Sequence, residues 1–399
     1  MIPRSYCVKC NAKFNTETLA AGQMFVCQRC GTTVVVGQKT SPEAFVTNTP
    51  IGVPTVPQAA VDNSDPMIGK VIEGIKILRP LGKGAAGIVY YGKNAEGREI
   101  AIKTLHPKFA KQERIIKRFK REAESGLKLK HKHFVEFYSF GEFEGFYYIT
   151  MEFIDGSTLK DLLKSEEKQM NERTKLLVGS HIAKALAFAY DHKMVHRDIK
   201  PDNIMITKDG VAKLTDMGLA KEVYDEDNAG EDMNLTKTGV TLGTPYYMPP
   251  EQIQDSKRAD CRSDIYSLGA TMFHLFANRP PFFGGGMMDV MKKIMEEPTP
   301  RLKDVNPAIA QNISDLVYKM ILRDVNERYA TPQLLLKDMQ RVLDGKPLMS
   351  NDELMNVLNQ SSDDSSNRDS SESARAKASG EKKVGFFGKI LRLFGIGKK

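Results

Sequence analysis

Residues 194–221 read MVHRDIKPDNIMITKDGVAKLTDMGLAK, and this stretch decides the fold. It brings Asp198, Lys200, Asn203 and Asp216 into one short region of chain. Amide and carboxylate oxygens such as those of Asn203 and Asp216 are hard ligands that suit Mg²⁺. Each of these side chains alone could be a solvated loop residue. That interpretation leaves the run HRDIKPDN unexplained.

A glycine-rich segment lies upstream of this stretch, where residues 82–93 read GKGAAGIVYYGK. Gly82, Gly84 and Gly87 stand between strand-like runs, and glycines let a hairpin backbone fold closely over phosphates. Such segments are also common as plain turns. A strand rather than a helix follows, which excludes a dinucleotide-binding fingerprint, and the P-loop pattern is absent.

The next strand-like run, EIAIKTL, carries Lys103, and the following helix-like run carries Glu122. A lysine on a strand is often solvated, but a buried ammonium group needs a partner. Glu122 is a candidate for that partner. A Lys103–Glu122 pair would direct the ammonium group toward the inner phosphates of a nucleotide.

The order of apolar patterns predicts an α+β fold. Residues 71–153 contain mostly short apolar runs typical of strands, with one helical stretch at 112–130. After Asp155, apolar residues recur at spacings of three and four, which is typical of helices. We therefore expect a small strand-rich lobe with one key helix, followed by a larger helical lobe.

Composition divides the 399-residue chain into five parts. We expect a cysteine-bearing module at 1–37, a Pro/Thr-rich linker at 38–66 and a catalytic domain at 67–345. We expect a disordered Ser/Asp-rich linker at 346–383, because residues 361–383 have almost no large apolar side chains. A basic amphipathic segment follows at 384–399.

The motifs resemble, in order, those of the eukaryotic-type (Hanks-type) serine/threonine protein kinases, which also occur in bacteria. The chain has the glycine loop, Ala-Ile-Lys, His-Arg-Asp, a downstream Asn and Asp-x-Gly. The resemblance covers residues 70–345. It implies a two-lobed kinase fold and a signalling enzyme that transfers the γ-phosphoryl group of ATP, with Mg²⁺ or Mn²⁺, to serine or threonine hydroxyls of proteins.

The resemblance assigns catalytic roles to named positions. Asp198 would orient and deprotonate the acceptor hydroxyl, and Lys200 would stabilise the transferring phosphoryl group. Lys103 and Glu122 would form the phosphate-directed ion pair, while the metal would bind Asn203 and Asp216. Lys200 and Thr244 favour the serine/threonine branch over tyrosine kinases.

The resemblance also implies a nucleotide pocket. The backbone of residues 152–154 would bind adenine, Met151 would close the back of the pocket, and Val89, Ala101 and Met205 would sandwich the purine. All three apolar residues could equally be ordinary core. The predicted nucleotide-binding set is Gly82, Gly84, Gly87, Val89, Ala101, Lys103, Met151, Glu152, Ile154 and Met205.

Structural supports for the catalytic loop follow from the same resemblance. His196 is expected to pack beneath the loop rather than act as a base, and Asp264 to brace the loop from its own helix. Glu251 is expected to pair with Arg328. Gly126 departs from the family pattern, which has a larger apolar residue behind the helix that carries Glu122.

The segment between Asp216 and Glu251 holds two candidate phosphorylation sites. Thr236 and Thr238 lie eight and six residues before Thr244, where bacterial relatives often autophosphorylate. Loop threonines are common, so their presence alone decides nothing. The acidic residues of this segment could repel it from a phosphate-binding site, or could serve only solubility.

Four of the five cysteines form two Cys-x-x-Cys pairs, Cys7 with Cys10 and Cys27 with Cys30. Four thiolates at this spacing suit tetrahedral zinc, and the flanking residues resemble zinc-ribbon knuckles. A unit of 37 residues has too little core to fold alone, so a structural Zn²⁺ would supply folding energy. A redox or disulfide pair is the alternative.

The net charge of +8, from 58 basic and 50 acidic residues, does not demand a nucleic-acid partner. The N-terminus lacks an apolar signal core, so we expect a cytoplasmic protein. From Lys382 onward the chain has six basic and no acidic residues, and Phe387, Ile390, Leu391 and Phe394 share one helical face. This pattern suits a helix lying on the inner face of a membrane, or a disordered or partner-docking tail.

Two other functions compete with a kinase. A pseudokinase scaffold would bind nucleotide without transferring phosphate. The loss of a core group would favour it, but all five are present: Lys103, Glu122, Asp198, Asn203 and Asp216. A nucleic-acid binder built on the cysteine module would need a basic excess near it, and none is present. A homodimer through the strand-rich lobe or the cysteine module is a further expectation, alongside protein substrates.

Overall fold

The computed structural model describes side chains for residues 65–84, 87–165, 170–216 and 245–357, and it describes the backbone alone for four short strands before them. Chain contacts divide the molecule into two compact units. Among the described side chains, the first unit contains residues 65–164 and 201–216. The second contains residues 165, 170–200 and 245–357.

The four N-terminal strands form two antiparallel hairpins. Their bounds are β1, Arg4–Tyr6; β2, Lys13–Asn15; β3, Met24–Val26; and β4, Thr33–Val35. β1 pairs with β2, and β3 pairs with β4. Each Cys-x-x-Cys pair lies in the connection within one hairpin, outside the described residues.

The first unit is built on a six-stranded antiparallel sheet. Its strands are β5, Val71–Ile72; β6, Ile75–Lys83; β7, Gly87–Lys93; β8, Glu99–Leu105; β9, Phe137–Phe143; and β10, Phe146–Glu152. They lie in the order β5-β6-β7-β8-β10-β9. Helix α1, Glu113–Gly126, joins β8 to β9.

Alternation along β8 places Lys103 beside α1. Ile100 and Ile102 join one hydrophobic cluster, while Ala101 and Leu105 join another that includes Phe119 and Ala123 of α1. Since side chains alternate along a strand, Lys103 shares the face of Ala101 and Leu105. The sheet therefore presents the lysine to the helix that carries Glu122.

A three-stranded sheet completes the first unit. It contains β11, Gly156–Thr158, β12, Ile204–Thr207, and β13, Ala212–Leu214, in that order. Helix α2, Leu159–Lys164, follows β11. The apolar pattern after Asp155 predicted a helix-rich region and did not reveal these three strands.

The second unit is helical, as expected. Its helices are α3, Glu172–Asp191; α4, Pro250–Gln254; α5, Cys261–Ala277; α6, Met287–Glu296; α7, Leu302–Val305; α8, Gln311–Met320; α9, Pro332–Leu343; and α10, 351–357. α5 packs against α3 and α8, and α3 packs against α9. An Asp260–Ser263 capping box begins α5, which is buried along most of its length.

Two predicted boundaries shift. Asp65, placed in the linker 38–66, accepts a hydrogen bond from the Tyr90 hydroxyl at 3.1 Å. Helix α10 lies within the segment 346–383, and its Leu354 is buried, so the prediction of disorder is wrong for residues 351–357. No helix in the described part of the chain is long and apolar enough to cross a bilayer.

Candidate functional site

Three charged side chains meet in the first unit. The Lys103 ammonium lies 2.7 Å from Glu122 Oε1 and 2.5 Å from Asp216 Oδ1. The side chains of Lys103 and Glu122 are 14% and 9% exposed, whereas that of Asp216 is 41% exposed. The predicted Lys103–Glu122 pair is therefore formed in the structure, and it reaches a third predicted site residue.

The electrostatics of this triad hold the lysine charged. Burial alone would lower the pKa of Lys103, but the charges of Asp216 and Glu122 outweigh it and keep the pKa above the ordinary value. Burial raises the pKa of Glu122, and Lys103 opposes that rise. A permanent cation beside a carboxylate exposed to solvent suits the recognition of an anionic ligand.

The two predicted metal ligands are linked through the backbone. The Thr215 N–H, next to Asp216, donates to the Asn203 carbonyl at 3.0 Å. Asn203 is buried, and Asp216 has a φ of 55°, which is uncommon for a residue other than glycine. A backbone held in this region at a candidate site is consistent with a functional constraint.

Among the described residues, no group of three or more His, Cys, Asp or Glu side chains could hold a metal by itself. Mg²⁺ usually binds one or two protein carboxylates together with substrate phosphates and water. The donor set of Asn203 and Asp216 fits that mode of binding. Lys103, bonded to Asp216, adds a cation beside this donor set.

The three glycines of the loop have different surroundings. The Gly84 N–H donates to the Gly87 carbonyl at 2.8 Å and closes the β6–β7 hairpin. A Cβ atom on Gly87 would lie 1.7 Å from the Thr104 carbonyl oxygen, whereas one on Gly82 would meet nothing within 4 Å. Gly87 is thus required for strand packing, while Gly82 and Gly84 border open space.

The residues expected around adenine fall into two groups. Ala101 and Met151 are buried in one hydrophobic cluster, and Val89 and Ile154 pack against it. Met205 lies on β12, half-buried, opposite Lys213 of β13. The structure therefore brings the first four together in one hydrophobic cluster.

The second unit carries Asp198 and Lys200. The Lys200 ammonium donates to Asp198 Oδ2 at 2.8 Å, and the two side chains are 23% and 18% exposed. Both line a small cavity together with Tyr247, Met248 and Gln252. A carboxylate paired with lysine in a cavity can orient a hydroxyl group and accept its proton.

Asp264 fixes the backbone of this loop from α5. Its carboxylate accepts the His196 N–H at 2.7 Å and the Arg197 N–H at 2.8 Å. His196 is fully buried, and Arg197 has a φ of 65°. The loop also receives a bond from Gln252 Nε2 to the Arg197 carbonyl at 3.3 Å. The predicted structural roles of His196 and Asp264 match these contacts.

Glu251 and Arg328 form the predicted buried pair. Two parallel bonds of 2.8 and 2.9 Å join the guanidinium to the carboxylate, and the Arg328 side chain is fully buried. The Ser263 hydroxyl donates to the same carboxylate at 2.7 Å. A bidentate pair of this kind fixes the start of α4 relative to α5.

Sequence reasoning missed two contacts near the candidate residues. Lys213 binds the Glu152 carboxylate at 2.7 Å, and the Tyr247 hydroxyl lies 2.7 Å from His274 Nδ1. Both contacts join residues that are distant in sequence, so no local spacing pattern predicts them. The only signal was an A-K-L alternation that turns Lys213 away from buried Ala212 and Leu214.

Several predicted residues lie outside the described part of the chain. These are the phosphorylation candidates Thr236 and Thr238, the four paired cysteines, and the whole segment 384–399. The predictions made for them stay predictions.

Comparison with known proteins gives three findings. The sequence profile of a family described as "Protein kinase domain" matches residues 75–339. The serine/threonine-protein kinase PrkC of Bacillus subtilis is 35% identical over 284 residues, which are 71% of this chain and 42% of that protein. The serine/threonine-protein kinase PknB of Mycobacterium tuberculosis is 31% identical, over 67% of this chain and 42% of that protein.

Among solved structures, the crystal structure of the M. tuberculosis PknI kinase domain superposes with a TM-score of 0.53 at 24% identity. The match covers 69% of this chain and 98% of that one, and it supports the fold. The chain spans about two fifths of the length of the curated relatives it matches.

Proposed function

Since this chain belongs to the protein kinase domain family, we propose that it is a serine/threonine protein kinase. It would transfer the γ-phosphoryl group of ATP to serine or threonine hydroxyls of proteins. The observation that carries the proposal is the contact of Lys103 with both Glu122 and Asp216. A buried ion pair adds little net stability, so a lysine held charged between two carboxylates points to a role in binding a ligand.

The first unit would bind the nucleotide. Lys103 would contact phosphate oxygens, Glu122 would hold the lysine in place, and Gly82 and Gly84 would leave room for phosphates under the β6–β7 turn. Bound Mg²⁺, held by Asn203 and Asp216, would neutralise phosphate charge. The cluster of Val89, Ala101, Met151 and Ile154, with Met205, would contact the base, and the backbone of residues 152–154 would bind its edge.

The second unit would supply the acceptor side of the reaction. Asp198 would accept a hydrogen bond from the substrate hydroxyl and take its proton as the bond to phosphorus forms. Lys200, already bonded to Asp198, would steady that carboxylate and offset negative charge nearby. Asp264 would keep the loop in place through its two backbone bonds.

The test is transfer of labelled phosphate from ATP·Mg²⁺ to a panel of proteins and to the chain itself. We expect transfer by the full chain and a loss of at least about 10²-fold in an Asp198→Asn variant. If a folded chain that has been given an activating phosphorylation transfers nothing, the proposal fails. ADP binding without any transfer would identify a pseudokinase scaffold instead.

We also propose that Thr236 and Thr238 are autophosphorylated, as their place before Thr244 indicates. Mass spectrometry of the chain made alone, beside the Asp198→Asn variant, tests this. We expect phosphate on one or both threonines in the active form only. An unmodified segment in an active enzyme would reject the idea.

The cysteine module is proposed to hold one structural Zn²⁺ through Cys7, Cys10, Cys27 and Cys30. The support is that each pair lies within a hairpin connection, and that β1 lies close to β4. Metal analysis of the purified chain should give one zinc per chain, and a Cys27→Ser/Cys30→Ser variant should lose it. A zinc content unchanged by these substitutions would contradict the proposal.

Location and assembly are proposed together. We place the protein in the cytoplasm, with contact to the inner face of the membrane through residues 384–399. Co-sedimentation with anionic vesicles, with and without residues 382–399, tests the contact, and equal binding would remove it. Homodimerisation through the strand-rich unit or the cysteine module is tested by sedimentation of the full chain against one lacking residues 1–37.

A further inference from the structure

We propose that Lys213 is a positioning residue that sets the affinity for the nucleotide by holding Glu152 at the end of β10. This inference rests on the proposed function, because the backbone that follows Met151 is where adenine would bind. It adds a residue that no motif of the sequence assigned. Lys213 is expected to act through Glu152, without touching the nucleotide.

The contact itself is short and half-buried. Lys213 Nζ lies 2.7 Å from Glu152 Oε2, and the two side chains are 14% and 27% exposed. The same carboxylate oxygen accepts the Glu136 N–H at 3.2 Å. A charge-assisted bond shielded from water is stronger and less screened than a surface pair.

The residues around Lys213 form a continuous hydrogen-bonded frame. Strand β13 exchanges backbone bonds with the segment 133–135: the Leu214 N–H donates to the His133 carbonyl at 2.8 Å, and the Val135 N–H donates to the Leu214 carbonyl at 2.9 Å. The Lys213 ammonium also reaches the Phe134 carbonyl at 3.4 Å. The lysine is therefore anchored on a strand that cannot shift without breaking this frame.

The other end of the contact is equally constrained. The Glu152 N–H donates to the Glu136 carbonyl at 2.8 Å, so main chain and side chain of Glu152 are both held. Glu152 is the last residue of β10, and it pairs with Ile100 of β8. Beyond it the chain leaves the sheet, so the side-chain bond to Lys213 limits the direction in which residues 152–154 leave it.

The chain offers a matched control on the same hairpin. Lys208, which follows β12, lies 2.6 Å from Asp155, with side chains 65% and 60% exposed. This pair also joins the hairpin to residues just past β10. Because it is solvated, its contribution should be small. Comparing Lys213 with Lys208 separates the buried bond from a general effect of lost charge.

The experiment measures KM for ATP, kcat, and ADP·Mg²⁺ binding by calorimetry in full-length Lys213→Met, Lys213→Arg, Glu152→Gln and Lys208→Met variants. We expect Lys213→Met to raise KM for ATP and the ADP dissociation constant by about tenfold, the effect of one charge-assisted hydrogen bond. Its kcat should stay within about twofold of the parent, since no reacting group is touched. Glu152→Gln should act in the same direction, Lys213→Arg should restore most of the affinity, and Lys208→Met should match the parent.

A merely structural role would lower kcat through a smaller folded fraction and leave the affinity of the folded molecules unchanged. An unchanged ADP affinity in both Lys213→Met and Glu152→Gln, or an equal loss in Lys208→Met, would overturn the inference. If Lys213→Met does not fold, Glu152→Gln and Lys213→Arg decide the question. Calorimetry keeps the inference apart from the proposed function, because a chain that transfers no phosphate can still be tested for ADP binding.

Discussion

Replacing Arg328 with Met should destabilise the protein strongly, and by an amount that depends on pH. Arg328 is fully buried and donates two bonds to Glu251. It also donates to the carbonyls of Leu322, Arg262 and Arg323 at 2.7, 3.2 and 3.2 Å. Methionine fills a similar volume but satisfies none of these acceptors.

The loss in the free energy of unfolding follows from the Glu251 carboxylate, which would stay buried without its partner. Removing one partner of a buried ion pair leaves the other charge uncompensated, which costs about 3–5 kcal/mol. Glu251 would keep only the Ser263 hydroxyl as a side-chain donor. We therefore expect the free energy of unfolding to fall by about 3–5 kcal/mol at neutral pH. An Arg328→Lys variant should recover only part of this, because an ammonium cannot make the bidentate contact.

The pH dependence gives a sharper test. Burial would raise the pKa of Glu251, but the hydrogen bonds and charge of Arg328 outweigh it and hold the pKa below the ordinary 4.5. In the parent, this group adds stability above pH 4.5 that is lost as pH falls through its lowered pKa. Without Arg328, the Ser263 hydroxyl and a backbone hydrogen bond still oppose the effect of burial, but the largest opposing contributions are gone, so the pKa rises and stability falls as pH increases.

The stability difference between parent and Arg328→Met should thus grow from pH 4 to pH 7 in urea unfolding of the full chain. A Glu251→Gln/Arg328→Met double variant should be more stable at pH 7 than Arg328→Met alone. The reasoning is refuted if Arg328→Met costs less than about 1 kcal/mol, the range of a surface pair. A loss independent of pH would also refute it.

Three further predictions concern the described residues. Gly126→Ala should lower the free energy of unfolding by about 1–2 kcal/mol, although alanine has the better helix propensity, because the added Cβ would lie 2.4 Å from the Phe137 ring. Denaturant titration measures this change, and a stabilised variant would contradict the prediction. Burial raises the pKa of Asp264 to about 7 from an ordinary 3.8, so this group's stabilising contribution is lost as pH rises through about 7. The stability of the parent relative to Asp264→Asn should therefore fall between pH 4 and pH 7, and a constant difference would be evidence against the shift. The Lys103→Met variant should transfer phosphate at least about 10²-fold more slowly than the parent. The Lys103→Met/Glu122→Gln double variant should regain thermal stability but not activity. Recovered activity in the double variant would exclude a contact between Lys103 and phosphate.

The contact between Lys103 and Glu122 could be predicted because three signals agree: the strand alternation in β8, the helical spacing in α1, and the order of the motifs along the chain. Strand alternation in β8 places Lys103 on the face of Ala101 and Leu105, and α1 offers Glu122 next to buried Ala123. Each signal is short-range, so sequence alone carries it. The fold class followed from the same periods.

The Lys213–Glu152 contact could not be predicted in this way. Sixty-one residues separate the two side chains, and β13 is only three residues long, too short for a clear period. The strands β11 to β13 were missed for the same reason, since their pairing depends on residues far apart in the chain. Helix α10 was different: Ser350 and Glu353 form a capping box, with bonds of 2.7 and 3.2 Å, that the sequence displays. The Ser/Asp-rich composition that follows obscured it.

The glycine loop shows why a motif can be recognised before its physical basis is known. A Cβ atom at Gly87 would collide with the Thr104 carbonyl, so β7 and β8 could not pair in their present register. At Gly82 the same atom would meet nothing, and at Gly84 only the Gly87 carbonyl at 3.8 Å. The motif therefore combines two kinds of glycine. Gly87 is required for strand pairing even without a ligand, whereas the small size of Gly82 and Gly84 matters only when a ligand lies beside them. A Gly82→Ala variant that kept full stability but lost nucleotide affinity would show the two requirements separately.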